Sequence, residues 1–415
     1  MHNKVVKNTL YNLIGSFAYL FSQWLMSILV VRLSGSYEEA GIFGTALSIT
    51  NIFYMISSFS IRNYQVADIN DRFSNDEYIT FRIITCAISL LILPVYLIAM
   101  RYSLYILLAV ICYMLIKTAE AFIDVIQGVY QKAWRLDIVC KSFVIRGIVN
   151  LAVFSLLEWK FKNLVVSLLF TATASLICAV LLDIRPCKLM FGIKIDFGNK
   201  RLLELMFCCL PLFIHGFLSA SIYSTPRIIA QRICGEEQFG FYASVAVPTV
   251  IVQLAVSNVF SPCITLMTEQ YIKRDRELFS TIAKIQGIII VTALAAVAGF
   301  SVLGDWFLES MFGYEILDYT NLLIPAVIGS VLIATAAFVA SIFTVNGRNT
   351  VMAVLEGITF IIDLILSIAL IKRFNLQGIN YALIISCIFF ILVGYCIVMT
   401  NLRESYKLSN NKFFS

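Results

Sequence analysis

Twelve mostly apolar runs divide the chain, at 10–32, 41–61, 83–100, 103–128, 142–158, 164–183, 203–225, 239–267, 285–304, 322–344, 351–371 and 378–400. Each is close to the roughly 20 residues that carry a helix across a bilayer core. An open chain in lipid can satisfy its backbone only as helices, so the fold class is all-α. The composition agrees: 60% of residues are hydrophobic and 13% charged, where a soluble domain has about 25% charged residues. The mean hydropathy is +0.88. The chain therefore reads as a polytopic integral membrane protein with about 12 transmembrane helices. The runs 103–128 and 239–267 exceed one span and are expected to tilt or project. Lys4 and Lys7 precede the first run, which spans without a clear cleavage site and reads as a helix that stays.

Lysine and arginine set the orientation. With a cytoplasmic N-terminus, 22 of the 31 fall on inside segments and 8 outside, leaving Lys117 in mid-span. That bias predicts cytoplasmic termini at both ends and an even number of spans. The loops between runs are short, so no soluble domain is expected in any of them. Nothing in them suggests a nucleic-acid partner, and the helices must do the work. Eleven cysteines are scattered, mostly within the apolar runs, without a Cys-x-x-Cys pair, and there are two histidines. They read as small buried hydrophobes, and no metal site is expected.

A repeat organises the chain. Arg32-Leu-Ser-Gly35, then Glu38-Glu39 and Gly41-Ile-Phe43, follow the first run. Arg232-Ile-Cys-Gly235, then Glu236-Glu237 and Gly240-Phe-Tyr242, follow the seventh. Both copies fall outside, at the same point of a six-span unit. The expectation is two pseudo-symmetric six-helix lobes, related by an axis along the membrane normal. The N-terminal lobe would span 1–185, a cytoplasmic linker 186–202, and the C-terminal lobe with a short tail 203–415.

Charged residues inside the runs mark the candidate sites, because a charge at mid-bilayer costs at least about 2.5–3.5 kcal/mol. Lys117, Glu120 and Asp124 lie at i, i+3 and i+7 and share a helix face. They read as a cavity lining, with Glu120 or Asp124 able to hold a coupling ion. The alternative is a structural Lys117–Glu120 pair. Glu356 and Asp363 share a face of the eleventh run, and Asp363 has no cation on its own helix with which to pair. It is a coupling candidate, or else a polar bond between helices. His215 lies one turn from Pro211, where a kink would make a hinge. It reads as a titrating group or a core histidine. Arg62, Arg146 and Arg227 lie at the ends of runs. They suit either phosphate recognition or interfacial anchoring. The sequence carries no catalytic grouping, no glycine-rich phosphate loop and no cofactor motif, and an enzyme is not expected.

The stretch Glu120-Ala-Phe-Ile-Asp-Val-Ile-Gln-Gly-Val-Tyr-Gln-Lys132, with Arg135-Leu-Asp137 and Arg146-Gly147, resembles bacterial polysaccharide-biosynthesis membrane proteins. So do Arg62-Asn-Tyr-Gln-Val-Ala-Asp68 and the Arg-x-x-Gly…Gly-Ile-Phe opening. These are the lipid-linked oligosaccharide flippases of the multidrug/oligosaccharidyl-lipid/polysaccharide exporter superfamily. The resemblance implies a cavity between two six-helix lobes, a cationic lining for a lipid pyrophosphate–sugar, and coupling to an ion gradient or the membrane potential. It carries Arg62, Glu120, Asp124 and Arg146 over as lining.

The resemblance also implies an undecaprenyl-pyrophosphate-linked oligosaccharide as substrate, moved to the outer leaflet by alternating access. The setting would be the bacterial cytoplasmic membrane. Membrane lipid, and polymerases and glycosyltransferases of the same pathway, would be its partners. Two rival functions remain at this point. One is a cation-coupled exporter of small amphipathic molecules, which acidic cavity residues with few cations would favour. The other is a membrane polysaccharide polymerase, which a large outer loop would favour.

Overall fold

The computed structural model describes residues 2–68, 70–260 and 263–412. Among these residues the regular structure is entirely helical. The first half holds α1 (His2–Ser34), α2 (Tyr37–Ser58), α3 (Ile61–Ala67), α4 (Asn75–Ala99), α5 (Leu104–Lys132), α6 (Leu136–Phe161), α7 (Leu164–Cys178) and α8 (Arg185–Phe191). Then follow α9 (Arg201–Cys234), α10 (Glu236–Val245), α11 (Thr249–Phe260), α12 (Cys263–Ile272), α13 (Glu277–Phe312), α14 (Leu323–Val345), α15 (Asn349–Phe374) and α16 (Gln377–Lys412). Eleven helical stretches are long and apolar enough to cross a membrane, and α10 with α11 makes a twelfth if counted as one bent span. Their outward faces are apolar: Val291, Leu294 and Val302 of α13 are exposed, as lipid-facing residues should be.

The eighth run departs from the expectation. In place of one long helix over 239–267, the chain forms the short helices α10, α11 and α12. Pro248 explains the first break: it lacks the N–H that would continue α10, and the chain bends by 44° there. The outer loop expected near 305–321 is helical too, α13 running to Phe312 and a 3-10 turn covering Tyr314–Leu322. The seventh helix continues past Pro211 and Pro226 to Cys234, with Arg227 inside it. The fifth begins at Leu136, which puts Arg146 nearly three turns in.

Two compact units are present: Met1–Ala220 with Glu236–Gly240, and Ser221–Gly235 with Phe241–Ser415. In the first, α1 packs on α6, and α5 packs on α2, α4 and α7. In the second, α16 packs on α14 and α15, and α14 also on α11 and α13.

Local chemistry fixes several joints of the first unit. Ser74 and Glu77 form a reciprocal capping box that starts α4. Phe59 and Ser60 both take left-handed backbone angles, φ 43° and 51°, which breaks α2 from α3. Such angles cost about 1–3 kcal/mol each. α4 offsets part of this by donating to carbonyls in the last turns of α2. Ser57 O accepts from Arg82 Nη1 at 2.9 Å and Thr85 Oγ1 at 2.7 Å, and Phe53 O accepts from Ser89 Oγ at 2.8 Å. The broken joint rests on α9: Phe59 stacks on Phe213 at 4.3 Å, and Ser60 Oγ donates to Leu212 O at 3.1 Å.

The two repeat segments also meet within this unit. A Cβ on Gly41 would lie 1.8 Å from Glu236 O, and one on Gly240 would lie 1.7 Å from Tyr37 O. The contact is reciprocal, helix backbone against helix backbone, and no side chain larger than hydrogen fits at either position.

Candidate functional site

A cavity of about 310 Å³ opens into the first unit. Its wall includes Tyr19 and Gln23 of α1, Arg62 of α3, Lys117, Glu120, Asp124 and Gln127 of α5, and Arg146 of α6. The break at Phe59 and Ser60 turns α3 so that Arg62 faces α5. Arg62, Lys117, Glu120, Asp124 and Arg146, all expected from the sequence as cavity lining, thus face one space.

Glu120 is the most fully bonded group. Its Oε1 accepts from Tyr19 OH at 2.5 Å and from Gln23 Nε2 at 2.6 Å, and its Oε2 pairs with Lys117 Nζ at 2.8 Å. Lys117 also lies over the rings of Tyr54 and Tyr113, at 5.9 and 5.6 Å. Asp124 is shared between two arginines, Arg62 at 3.2 Å and Arg82 at 2.9 Å. Arg62 also donates to Gln127 Oε1 and Gln131 Oε1, both at 3.0 Å. One carboxylate is thus set against two guanidiniums. Three cations and two carboxylates face the cavity, and Arg82 stands behind Asp124 as a fourth cation.

Arg146 differs from the others. It is 1% exposed, its guanidinium stacks on Tyr19 at 4.5 Å and on Phe143 at 5.3 Å, and its Nε and Nη1 have no hydrogen-bond partner. A buried donor without an acceptor costs about 1–3 kcal/mol, more when it is charged. Such a group is poised to receive an anion, which a guanidinium binds through two parallel N–H donors.

The other expected residues lie elsewhere. His215 sits half-buried on α9, outside the cavity lining. Arg227 belongs to the second unit, where it stacks on Tyr223 at 4.0 Å. Glu356 and Asp363 are buried on α15, also in the second unit. Asp363 has no solvent exposure, and Ser386 lies beside it without either carboxyl oxygen completing a hydrogen bond.

Sequence reasoning missed several residues in this wall or bonded behind it. Arg82 looked like a cytoplasmic loop cation, yet it is fully buried. The signal was present: Arg82 falls inside Tyr78–Cys86 with no helix breaker. Gln127 and Gln131 extend the 117, 120, 124 series at alternating steps of three and four, the spacing of one helix face. Tyr19 and Gln23 carried no local signal, being about a hundred residues from Glu120.

Solved structures of transporters superpose on this chain. An inward-facing multidrug resistance MATE family transporter of the MOP superfamily matches with a TM-score of 0.74 at 14% identity, covering 93% of this chain and 96% of that one. This chain has the fold of the MOP-superfamily transporters. An outward-facing MATE transporter gives 0.64 at 13% identity, covering 97% and 96%. A MOP superfamily transporter from Pyrococcus furiosus, described by a reversed polarity of its binding pocket, gives 0.63 at 14%, again covering 97% and 96%. By sequence, the capsular polysaccharide biosynthesis protein CapF of Staphylococcus aureus is 26% identical over 396 residues, covering 94% of this chain and 98% of that protein. No family model matches the chain.

Proposed function

We propose that this chain flips an undecaprenyl-pyrophosphate-linked oligosaccharide from the inner to the outer leaflet of the bacterial cytoplasmic membrane, for capsule-type polysaccharide assembly. Alternating access of the transporter fold would do the work, with both termini in the cytoplasm. The observation that carries this reading is the buried guanidinium of Arg146, whose Nε and Nη1 lack acceptors, in a cavity where cations outnumber carboxylates. A pyrophosphate supplies the acceptors that Arg146 lacks, and Arg62 and Lys117 supply further charge. The likeness to CapF, a capsular polysaccharide biosynthesis protein, supports a place in capsule-type polysaccharide assembly. Pathway polymerases and glycosyltransferases would make and consume the cargo, and this chain would perform no covalent chemistry.

The second unit suits ion coupling. Asp363 is a carboxyl in an apolar setting with no cation beside it, the condition under which a carboxyl takes a proton or a small cation. Glu356, Glu120, Asp124 and His215 are weaker candidates, since Glu120 and Asp124 are already bound by cations. The rival reading is a cation-coupled exporter of small amphipathic molecules, which the MATE neighbours bring forward. The balance of charge in the cavity opposes it.

The experiment is a deletion in a strain without a paralogue. The lipid-linked repeat unit should accumulate on the cytoplasmic leaflet, and Arg146→Gln should fail to restore export while inserting normally. Normal arrival of the repeat unit at the outer face would end the flippase reading. Resistance to amphipathic cations that tracked expression would favour the exporter.

A further inference from the structure

Behind Arg146, away from the cavity, lies a buried acid that the substrate reading does not use. The sixth span changes from α7 into a π-helical stretch, Ala179–Ile184, before continuing as α8. Such insertions are rare and recur at functional sites. This one places Asp183 against α6. The residue has no solvent exposure. Its Oδ2 accepts from Ser142 Oγ at 2.6 Å, and its Oδ1 has no partner. Ser142 is one turn before Arg146 on the same helix face, so the acid bonded to it lies within reach of the guanidinium's field. Each group is buried, each has an unmet polar atom, and they do not pair.

The geometry points to Asp183 as a proton-binding site linked to anion occupancy of Arg146. The inference rests on the reading of the cavity as an anion site. With the cavity empty, the positive field of Arg146 favours an ionised Asp183. When an anion settles on Arg146 that field is cancelled, and a carboxylate is left in an apolar pocket with one hydroxyl for company. A proton from the aqueous medium then forms an O–H bond at Oδ1, and the anion and the proton are held together. By reciprocity, the proton tightens anion binding by the same factor that the anion tightens proton binding. The other titratable neighbours are the thiols of Cys178 and Cys187 and Tyr130, whose OH donates to the Asp183 carbonyl at 3.4 Å. Arg146 is the cation whose field reaches Asp183. Release of cargo on the far side would return the proton, so each anion carried would move with about one compensating charge.

The test uses the full chain in lipid nanodiscs with inorganic pyrophosphate as probe. Titration calorimetry in two buffers of different ionisation heat counts protons taken up per anion bound. Subtracting the Asp183→Asn result removes the probe's own protonation. The wild type should take up more protons than Asp183→Asn. Its affinity should fall at least about fivefold more as pH rises across the transition, the lower end of a typical coupling. Ser142→Ala, which removes the bond to the ionised carboxylate, should move the uptake to higher pH and serves where Asp183→Asn folds poorly. Equal proton uptake by wild type and Asp183→Asn, or an unmoved profile in Ser142→Ala, overturns the inference and leaves the flippase reading standing. Failure of the wild type to bind pyrophosphate at all overturns the anion reading itself.

Discussion

The acids of the two units are treated in opposite ways. In the first unit Glu120 and Asp124 are surrounded by donors: a lysine, two arginines, a tyrosine and a glutamine reach their oxygens at 2.5–3.2 Å. In the second, Asp363 is more deeply buried, yet neither carboxyl oxygen completes a hydrogen bond although Ser386 lies beside it. A paired acid is structural first, since removing either partner strands a charge in a low dielectric. A lone acid contributes no stability that its neutral isostere would not, so its presence needs another explanation. Function is therefore easier to separate from folding at Asp363 than at Asp124.

The sharpest way to break this contrast is to remove Arg82. Arg82→Ala leaves Asp124 with one partner and Ser57 O without its guanidinium donor. The protein should lose about 3–5 kcal/mol, the range for breaking a buried pair, read as a fall in the thermal midpoint in nanodiscs. If Arg82→Met with Asp124→Leu restores most of it, the pair is structural. Next is Arg146→Gln, expected to weaken pyrophosphate binding tenfold or more, about 1.4 kcal/mol, with little change in the thermal midpoint. An unaltered affinity would remove Arg146 from the site. For the lone acid, Asp363→Asn should keep or slightly raise the thermal midpoint while slowing transport. A clear fall in stability would mean that Asp363 is bonded like Asp124 and that the contrast is false.

The smallest effect lies outside the membrane. Burial of Asp68 pushes its carboxyl up, but the backbone N–H groups of Arg72 and Phe73, the Tyr78 hydroxyl and Lys132 together hold it below the usual aspartate range. A lowered carboxyl contributes stability that is present above its unfolded value, about 3.9, and is lost as pH falls through the folded value. Amide exchange at Arg72 and Phe73 should therefore stay protected at pH 5 and accelerate near pH 3. Asp68→Asn should abolish that acid dependence.

Much of this was legible in the sequence, and the parts that were not have physical reasons. Span count and helix class follow from run length, because lipid leaves the backbone no alternative. The eighth run misled because hydropathy does not weigh one proline, and Pro248 has more effect on the backbone than many apolar neighbours. The face of Lys117, Glu120 and Asp124 followed from helical spacing. Its partners did not, since Tyr19 and Gln23 reach Glu120 only after α1 and α5 have folded. Arg82 was misplaced because a charge beside an apolar run is usually solvated. Asp183 was read as the end of a span, and its unmet oxygen depends on a π-helical turn that no local pattern announces.

The glycine pair carries one more consequence. Gly41 and Gly240 each face the other's helix backbone so closely that neither could gain a methyl group alone without pushing the opposite helix away. Two copies of a duplicated segment can drift apart in sequence wherever they face lipid or water. Where the copies touch each other, a change in one is felt at once by its twin. The likeness between residues 32–43 and 232–242 includes that point of contact. A change at either glycine would have to be matched by a shift of the other segment.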